Sequence, residues 1–331
     1  MHNGDALGRF EDRDDRPDLL ALRTLKLGDL LVAVPAVHAL RRAFPEHRLT
    51  LAVPGWLEQV VALIEGVDAL LPTPGLDHPL PIERGRVDIA VNLHGSGPES
   101  RGIVDALGAR LAMVHRVPEI DGARGGDPRM PQWRDDVSER GRWVRLVGAY
   151  GVPGHPVEVR PGPPHEPAVV AGAAVVHVGA FYGSRRWPAD RFAAVARHLV
   201  DAGHRVVFTG SGAERARALE VARFAGLGED AVLAGVLDLA GFAAVIEHAA
   251  VVVSADTGAA HLASAYARPS VVLFGPASPE NWGPPPGPHM VFTDASVRRG
   301  EAFADDPDPA LLAVTVDDVI GAVERLLPPR G

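Results

Sequence analysis

The sequence contains no cysteine among its 331 residues. This absence excludes disulfides, thiolate metal sites and a cysteine nucleophile, and it is typical of a cytosolic protein. Aromatic residues make up only 5% of the chain while 47% is hydrophobic, so the cores must consist mainly of Ala, Val and Leu. A chain of this length and composition is long enough for two domains of ordinary size.

Lysine is also scarce, because Lys26 is the only one, and the formal net charge at pH 7 is −9, with 33 basic and 42 acidic residues. So acidic a chain is poorly suited to wrap nucleic acid, and we expect no nucleic-acid partner. The sequence has no run of about 18 uncharged apolar residues, and its polar first 17 residues lack the apolar segment of a signal peptide. We therefore expect a cytoplasmic protein without a transmembrane segment, and peripheral association with the inner face of the membrane stays open.

The motifs of several common cofactor and metal enzymes are missing. The nearest approach to a dinucleotide fingerprint is TGSGAER at 209–215, in which Arg215 stands where the third glycine belongs. The single lysine is followed by Leu27, which rules out a P-loop, and the HExxH zinc motif does not occur. The sequence therefore predicts no cofactor and no metal site.

Apolar runs and segments of helical spacing alternate along the chain, and the alternation restarts after a proline-rich stretch. This pattern predicts an α/β protein with two Rossmann-like, doubly wound domains, each built on a parallel sheet. The predicted organisation is a disordered tail at 1–17, a first domain at 18–155, a linker at 156–168, a second domain at 169–312 and a C-terminal helix at 313–331. Packing of that helix back onto the first domain is one option.

The residues just after the predicted strands are informative, because ligands of doubly wound folds bind at the carboxyl ends of the strands. In the first domain these residues are Gly28, Asp29, Asn92, His94 and Gly95. In the second domain they are Gly179, 183–188, 210–214 and 256–261. The set contains one isolated acid and several groups suited to bind an anion.

Several of these segments resemble one known family. LRTLKLGDLLVAVPAVHALRRAFP resembles the opening of the bacterial heptosyltransferases, glycosyltransferase family 9. GSRRWPADRF, FTGSGAERA, VVVSADTGAAHLASAYARPSVVLFGP and SPENWGP follow in that family's order, so the resemblance covers about residues 19–330. It implies a GT-B architecture, with two Rossmann-like domains facing across a cleft. It also implies an inverting, metal-independent transfer from a nucleotide sugar, typically ADP-heptose.

Inverting transfer needs a base that takes the proton from the acceptor hydroxyl as this attacks the anomeric carbon. The resemblance assigns this role to Asp29, the acid of the Leu-Gly-Asp turn. An acid at a strand–helix turn also serves as a helix N-cap, which is the alternative reading. The two roles are compatible.

The leaving diphosphate needs positive partners. Thr257 and Gly258 begin a predicted helix, and a helix N-terminus attracts phosphate. Arg185 stands where the family usually has lysine, two residues before the Trp-Pro pair, so it keeps the charge but changes the geometry. We take Arg185 as a catalytic candidate and the neighbouring Arg186 as a donor-binding alternative. For both residues the structural alternative is a solvated surface charge.

The other candidates have weaker support. Further donor-binding candidates are Gly28, Gly179, Gly210, Glu214, Asp256 and His261, and acceptor-binding candidates are Asn92, His94 and Ser96. Each polar residue among them also has a structural alternative, as a helix cap, a solvated acid, a packing histidine or part of a tight loop. The acceptor class stays open between a glycan, a lipid-linked molecule and a small molecule, and so does the oligomeric state. A nucleotide-sugar epimerase or hydrolase and a catalytically silent nucleotide-sugar-binding protein are the alternative functions.

Overall fold

The computed structural model describes residues 7–12, 14–122 and 126–327. The chain divides into two compact units, Met1–Gly162 and Pro163–Gly331. Their boundary falls within the segment that the sequence predicts as a linker. Among the described residues, no helix is both long enough and apolar enough to cross a membrane.

Unit 1 is built on a parallel sheet whose strand order is β1-β4-β3-β2-β5-β6. Its strands are β1 (Gly8–Arg9), β2 (Asp18–Leu22), β3 (Arg48–Val53), β4 (Ala69–Pro72), β5 (Ile89–Asn92) and β6 (Leu111–Met113). Its helices are α1 (Leu27–Ala43), α2 (Glu58–Val61), α3 (Pro98–Ala106), α4 (Pro118–Asp121) and α5 (Glu139–Ala149). The strands β2 and β3 are buried along their whole length, as expected for parallel strands covered on both faces.

Part of the segment predicted as a disordered tail is ordered. Strand β1 pairs with the edge strand β4, and Phe10 is buried at 8% exposure in the core of unit 1. The prediction of disorder is therefore wrong for these residues. An unpaired strand edge supplies backbone partners that a polar sequence without periodicity does not reveal. Residues 1–6 and 13 of the predicted tail lie outside the described residues.

Unit 2 is built on a second parallel sheet, with strand order β11-β10-β9-β7-β8. Its strands are β7 (Ala174–His177), β8 (Val206–Thr209), β9 (Val251–Ala255), β10 (Ser270–Leu273) and β11 (His289–Phe292). Its helices are α6 (Ala189–Asp201), α7 (Arg215–Phe224), α8 (Leu239–Glu247), α9 (Gly258–Ala265), α10 (Pro279–Trp282), α11 (Pro309–Leu312) and α12 (Val316–Leu326). The sequence prediction of doubly wound α/β architecture is thus confirmed.

The C-terminal helix α12 packs within unit 2. Val319, Ala322 and Val323 are buried in the core of this unit, and the helix contacts α6 and β10. The apolar face of α12 therefore packs on unit 2 and not, as one option had it, on the first domain. Residues 328–331, the end of the predicted helical segment, lie outside the described residues.

Two loops of unit 2 are held together by close contacts around Gly183 and Ser184. The buried Ser184 donates its N–H to the carbonyl oxygen of Ala304 at 2.9 Å and its hydroxyl to that of Ala302 at 2.7 Å. A Cβ at Gly183 would lie 1.5 Å from the carbonyl oxygen of Asp305, so only glycine fits there. These contacts fix the loop after β7 against the loop that precedes α11.

Replacing Gly183 with Ala should therefore destabilise unit 2. The added methyl group would force the two loops apart, and we expect the free energy of unfolding to fall by about 2 kcal/mol or more. Urea unfolding of the full chain, followed by hydrogen exchange in the strands of unit 2, measures the change. Gly321→Ala is the matched control, because the nearest atom to its added Cβ is the flexible end of Arg325 at 3.6 Å. Equal stability of the Gly183→Ala variant and the wild type would contradict this assignment.

Candidate functional site

The carboxyl ends of the strands in each sheet carry the residues that the sequence singled out. In unit 1, β2 lies between β3 and β5, so the segments after β2 and β5 are neighbours. In unit 2, β9 lies between β10 and β7, so the segments after β9 and β7 are neighbours. The topology therefore brings Asp29 close to the loop of His94 in one unit, and Asp256 close to the loop of Arg185 in the other.

Asp29 lies in the first turn of α1, with its side chain about one quarter exposed. Its Oδ2 accepts the N–H of Lys26 at 3.2 Å, which closes the start of the helix. Lys26 is the N-cap residue, so Asp29 stabilises the helix from the third helical position rather than as the N-cap. Its other oxygen, Oδ1, faces the guanidinium of Arg23.

Arg23 is a buried residue that sequence reasoning missed. Its side chain is only 2% exposed, and Nη2 lies 3.7 Å from Oδ1 of Asp29. Its Nε donates to the main-chain oxygen of Asp29 and its Nη1 to that of Leu93, while the guanidinium lies 4.6 Å from the ring centre of Trp143. Burial lowers the pKa of Arg23, and the negative charge of Asp29 opposes this effect. Arg23 thereby connects the ends of β2 and β5 with the first turn of α1.

The loop after β5 shows which acceptor-side candidates have structural roles. Asn92 is buried, donates to Ser100 Oγ at 3.0 Å and accepts the N–H of His94 at 3.0 Å, so its amide group serves the loop. Burial, and after it the charge of Arg23, lower the pKa of His94 to about 4. His94 is therefore neutral at pH 7, and Ser96 follows it in a half-buried position.

In unit 2, Arg185, Asp256 and His261 form a cluster of charged and polar side chains. Nε of Arg185 lies 3.4 Å from Oδ2 of Asp256, and Nε2 of His261 lies 3.6 Å from Oδ1. Asp256 is 5% exposed, whereas about one quarter of the Arg185 side chain is exposed. The ring of Trp282 lies edge-on to His261, with the ring centres 6.3 Å apart. The chain thus holds one buried carboxylate between a cation and an imidazole.

Asp256 does not cap the helix that follows it. The N-cap of α9 is Thr257, whose hydroxyl lies 2.9 Å from that of Ser254, and Gly258 is the first helical residue. The first N–H groups of a helix have no partner within the helix, so this start is open to an anion. The Nε of Arg185 is buried and its nearest charged partner is Oδ2 of Asp256 at 3.4 Å, so the exposed part of the guanidinium is the part that a ligand could contact.

Glu214 has a structural role in its own turn. Its Oε2 accepts the N–H of Ser211 at 2.7 Å, which completes a capping box. A Cβ at Gly179 would lie 2.3 Å from this carboxylate, and one at Gly210 would lie 3.3 Å from it, so both glycines leave room for Glu214. Contact of Glu214 with a ribose stays a prediction.

The remaining candidates are placed as follows. Gly28 lies in the first turn of α1 beside Asp29. Arg186 is exposed, and its Nε donates to the carbonyl oxygen of Ala180 at 3.2 Å.

His177, the last residue of β7, is a further polar residue at this edge of the sheet that sequence reasoning missed. Its Nδ1 lies 3.0 Å from Thr209 Oγ1, and burial lowers its pKa to about 4. The sequence offered one signal for His177, namely its position near the carboxyl end of a predicted strand, where ligands of this fold class bind.

The described residues contain no group of three or more His, Cys, Asp or Glu side chains that could hold a metal ion. The groups beside the start of α9 that could bind an anion are the guanidinium of Arg185 and the main-chain N–H groups of the first helical turn.

Comparison with known proteins connects unit 2 to one family. Residues 166–295 match the family model described as glycosyltransferase family 9 (heptosyltransferase). Lipopolysaccharide heptosyltransferase 2 of Escherichia coli K12 is 31% identical over 159 residues, which are 45% of this chain and 45% of that protein. Lipopolysaccharide heptosyltransferase 1 of Pseudomonas aeruginosa is 40% identical over 102 residues, 30% of this chain and 28% of that protein. The chain thus matches less than half the length of these relatives.

Solved structures show that the fold extends over both units. The structure of E. coli ADP-heptose LPS heptosyltransferase II has a TM-score of 0.73 at 20% identity, and the match covers 93% of this chain and 98% of that one. E. coli heptosyltransferase WaaC with ADP has a TM-score of 0.69 at 20% identity, covering 93% and 99%. The GT-B fold class and the resemblance to glycosyltransferase family 9, both predicted from the sequence, are confirmed.

A buried histidine in unit 1 should make the stability of this unit depend on pH. His115 is 1% exposed, and its ring centre lies 5.0 Å from that of Trp133 and 5.9 Å from that of Trp143. Burial, and after it the charges of Arg145 and Arg142, lower the pKa of His115 to about 4. Between pH about 6.5 and about 4 the unfolded chain therefore binds a proton that the folded chain does not, so stability falls as the pH falls.

The variant His115→Phe should lose this part of the pH dependence. Phenylalanine fills a similar volume between the tryptophans and does not titrate. We expect the drop in unfolding free energy from pH 7 to pH 4 to become smaller by up to about 3 kcal/mol. Urea unfolding at several pH values, monitored by hydrogen exchange at the amides of β6 and α5, gives the unfolding free energy of unit 1. The surface change His165→Phe is the control, and an unchanged slope in His115→Phe would contradict the prediction.

Proposed function

We propose that this chain, which resembles glycosyltransferase family 9, transfers a sugar from an ADP-sugar donor to a hydroxyl group of an acceptor. The donor sugar is of the heptose type, and the acceptor is a glycan, a lipid-linked molecule or a small molecule. The observation that carries the proposal is the Arg185–Asp256–His261 cluster at the start of α9, within the residues matched by the family model. That a similarly folded heptosyltransferase was solved with ADP supports the choice of nucleotide.

The donor side of the reaction belongs to unit 2. The diphosphate gains negative charge as its bond to the sugar breaks, and positive groups stabilise that charge best where water is scarce. The exposed part of the Arg185 guanidinium and the amides of Thr257 and Gly258 would contact the phosphate oxygens. Asp256 and His261 would bind sugar hydroxyls, since a carboxylate accepts and an imidazole donates hydrogen bonds. In our proposal, Arg185 and the main-chain amides at the start of α9 stabilise the negative charge of the diphosphate, without a metal ion.

The base that activates the acceptor hydroxyl belongs to unit 1. Asp29 would take the proton of the acceptor hydroxyl while that oxygen forms a bond to the anomeric carbon. The bond from this carbon to the diphosphate oxygen breaks in the same step, ADP leaves, and a single displacement inverts the configuration. Arg23 would hold the Asp29 carboxylate by its charge and by its hydrogen bond to the main chain of the same residue. Arg23 is in this account a positioning residue and contacts no substrate.

Binding and turnover of nucleotide sugars test the proposed function directly. Calorimetry with ADP-heptose, ADP-glucose, UDP-glucose and GDP-mannose should show the tightest binding for ADP-heptose. Transfer of radiolabelled heptose is then followed with neutral oligosaccharides, a lipid-linked glycan and a lipopolysaccharide core as acceptors. Donor consumption that no acceptor accelerates would indicate a hydrolase or epimerase. Binding without any turnover would indicate a silent protein, and preference for UDP- or GDP-sugars would overturn the donor assignment.

The variant Asp29→Asn should lose transfer while keeping donor affinity. The amide has nearly the same shape but cannot accept the proton, and a positioned base contributes roughly 10²–10⁴-fold to rate. We expect kcat to fall within that range and the Kd for ADP-heptose to change less than about threefold. Asp105→Asn, on α3, is the matched control and should behave as the wild type. A kcat for Asp29→Asn within about twofold of the wild type would refute the role of Asp29 as base.

Arg185 should matter for donor affinity as well as for rate. The Arg185→Ala variant loses charge-assisted hydrogen bonds to the phosphates, which corresponds to about 10–100-fold weaker binding of ADP-heptose. Arg185→Lys keeps the charge with a different geometry, so its affinity should lie between those of the wild type and Arg185→Ala. Calorimetry measures both, with Arg223→Ala on α7 as the control. If Arg185→Ala bound ADP-heptose as tightly as the wild type, Arg185 would not contact the diphosphate.

A further inference from the structure

Three aromatic rings form a surface cluster on unit 2, which we call the aromatic platform. It consists of Phe181, Tyr182 and Phe303, and Phe181 is 73% exposed and Phe303 76%. The ring centre of Tyr182 lies 4.8 Å from that of Phe181 and 4.9 Å from that of Phe303. Large aromatic side chains are seldom this exposed in a chain with so few of them, and such a patch typically marks a binding surface.

The aromatic platform is held in place from below. Its rings come from the loop after β7 and the loop before α11, which the contacts of Gly183 and Ser184 fix against each other. Asp308 is fully buried, accepts the N–H of Gly300 at 3.0 Å and donates its own N–H to the carbonyl oxygen of Ser184 at 3.1 Å. The rings are thus presented by a fixed backbone, so a ligand would not have to order these loops on binding.

The charges around the aromatic platform narrow the chemistry of its ligand. Asp305 and Asp306 are exposed in the same loop as Phe303, and Glu301 is exposed there but paired with Arg299. The basic side chains of that loop are engaged within unit 2: Arg299 lies 3.2 Å from Glu301, and Arg298 donates to the carbonyl oxygen of Gly275 at 3.0 Å. On the loop of Phe181 and Tyr182, Arg186 is exposed and its Nε donates to the carbonyl oxygen of Ala180 at 3.2 Å. An anionic membrane surface is bound by exposed lysine and arginine beside apolar residues. Exposed rings flanked by carboxylates instead suit a neutral ligand with apolar C–H faces and many hydroxyl donors.

A neutral carbohydrate has this combination of groups. The flat C–H face of a pyranose covers one aromatic ring, and its hydroxyls donate hydrogen bonds to carboxylates. The ring planes of Phe181 and Phe303 are inclined by 74° and 67° to that of Tyr182, so the cluster presents separate rings rather than one flat face. Stacking on both exposed rings needs a chain of at least two sugars rather than the single sugar of a nucleotide donor. Two of the three rings, Phe181 and Tyr182, lie on the same loop as Arg185, with Tyr182 only three residues before it.

We propose that the aromatic platform binds a neutral oligosaccharide portion of the acceptor. This inference rests on the proposed function, because it assumes that the cluster around Arg185 holds the donor. It assigns to unit 2 a second binding surface, and it assigns to the acceptor an uncharged glycan of two or more sugars. Phe181 and Phe303 supply most of the contact area, and the flanking carboxylates orient the hydroxyls.

Saturation-transfer NMR with the full chain and ADP tests the proposal. The probes are neutral oligosaccharides of two to four sugars from the malto-, cello- and manno- series, with phosphatidylglycerol vesicles in a sedimentation assay as the anionic alternative. The wild type should bind at least one of the oligosaccharide series. Phe303→Ala and Phe181→Ala should each weaken that binding about tenfold, while Phe303→Trp should retain it. Phe224→Ala, another exposed phenylalanine on α7, is the control and should bind as the wild type.

The outcomes separate this proposal from the proposed function. The affinity for ADP-heptose, measured on the same samples, should be equal in the wild type and both alanine variants. If the wild type binds ADP-heptose but none of the oligosaccharides, or if the alanine variants bind them as well as the wild type, the platform assignment is overturned and the proposed function stands. Binding to vesicles that is lost in Phe303→Ala would also overturn it, in favour of a lipid surface. Failure to bind ADP-heptose would instead refute the proposed function.

Discussion

Parallel pairing of the strands is the constraint on which the rest of this structure depends. In each unit it brings the carboxyl ends of all strands to one edge of the sheet, so residues far apart in sequence become neighbours. The pairing of β7 with β9 places the loop of Arg185 beside Asp256, and the pairing of β2 with β5 lets Arg23 contact Leu93. The contacts of Arg23 with Leu93 and of Arg185 with Asp256 are consequences of strand order. The contacts of Arg23 with Asp29 and of Asp256 with His261 each form within one strand–helix connection.

The two clusters differ in how their charges are balanced. Around Asp29, the buried guanidinium of Arg23 faces the carboxylate and donates hydrogen bonds to two main-chain carbonyl oxygens. Most of its hydrogen-bonding groups are therefore bound within the protein. Around Asp256, the carboxylate is the buried member and Arg185 is the more exposed one. The first arrangement presents an oxygen to a ligand, and the second presents a cation. This difference suits a base for an acceptor hydroxyl and a holder for a diphosphate, as the proposed function requires.

Much of the fold, and the segments that carry Arg185 and Asp256, could be predicted from the sequence, because these features depend on local signals. Apolar runs gave the strands, and the Asp-Thr-Gly turn marked the start of α9. Arg23 could not be recognised in the same way, since its importance arises from Leu93 and Trp143, which are distant in sequence. Helix α1 begins at Leu27 and contains Pro35, so the proline lies inside the helix and does not mark its start. Its many buried residues outweigh the cost of a proline within it.

Hydrogen exchange with and without ADP-heptose tests the central claim most directly, because it reports where on the chain the donor binds. The account predicts slower exchange at the amides of residues 256–261, at the start of α9, and in the loop of Arg185. It predicts no comparable change at the amino ends of the strands in unit 2. Binding that left the start of α9 and the Arg185 loop unprotected, or that protected only other surfaces, would contradict the assignment of this site.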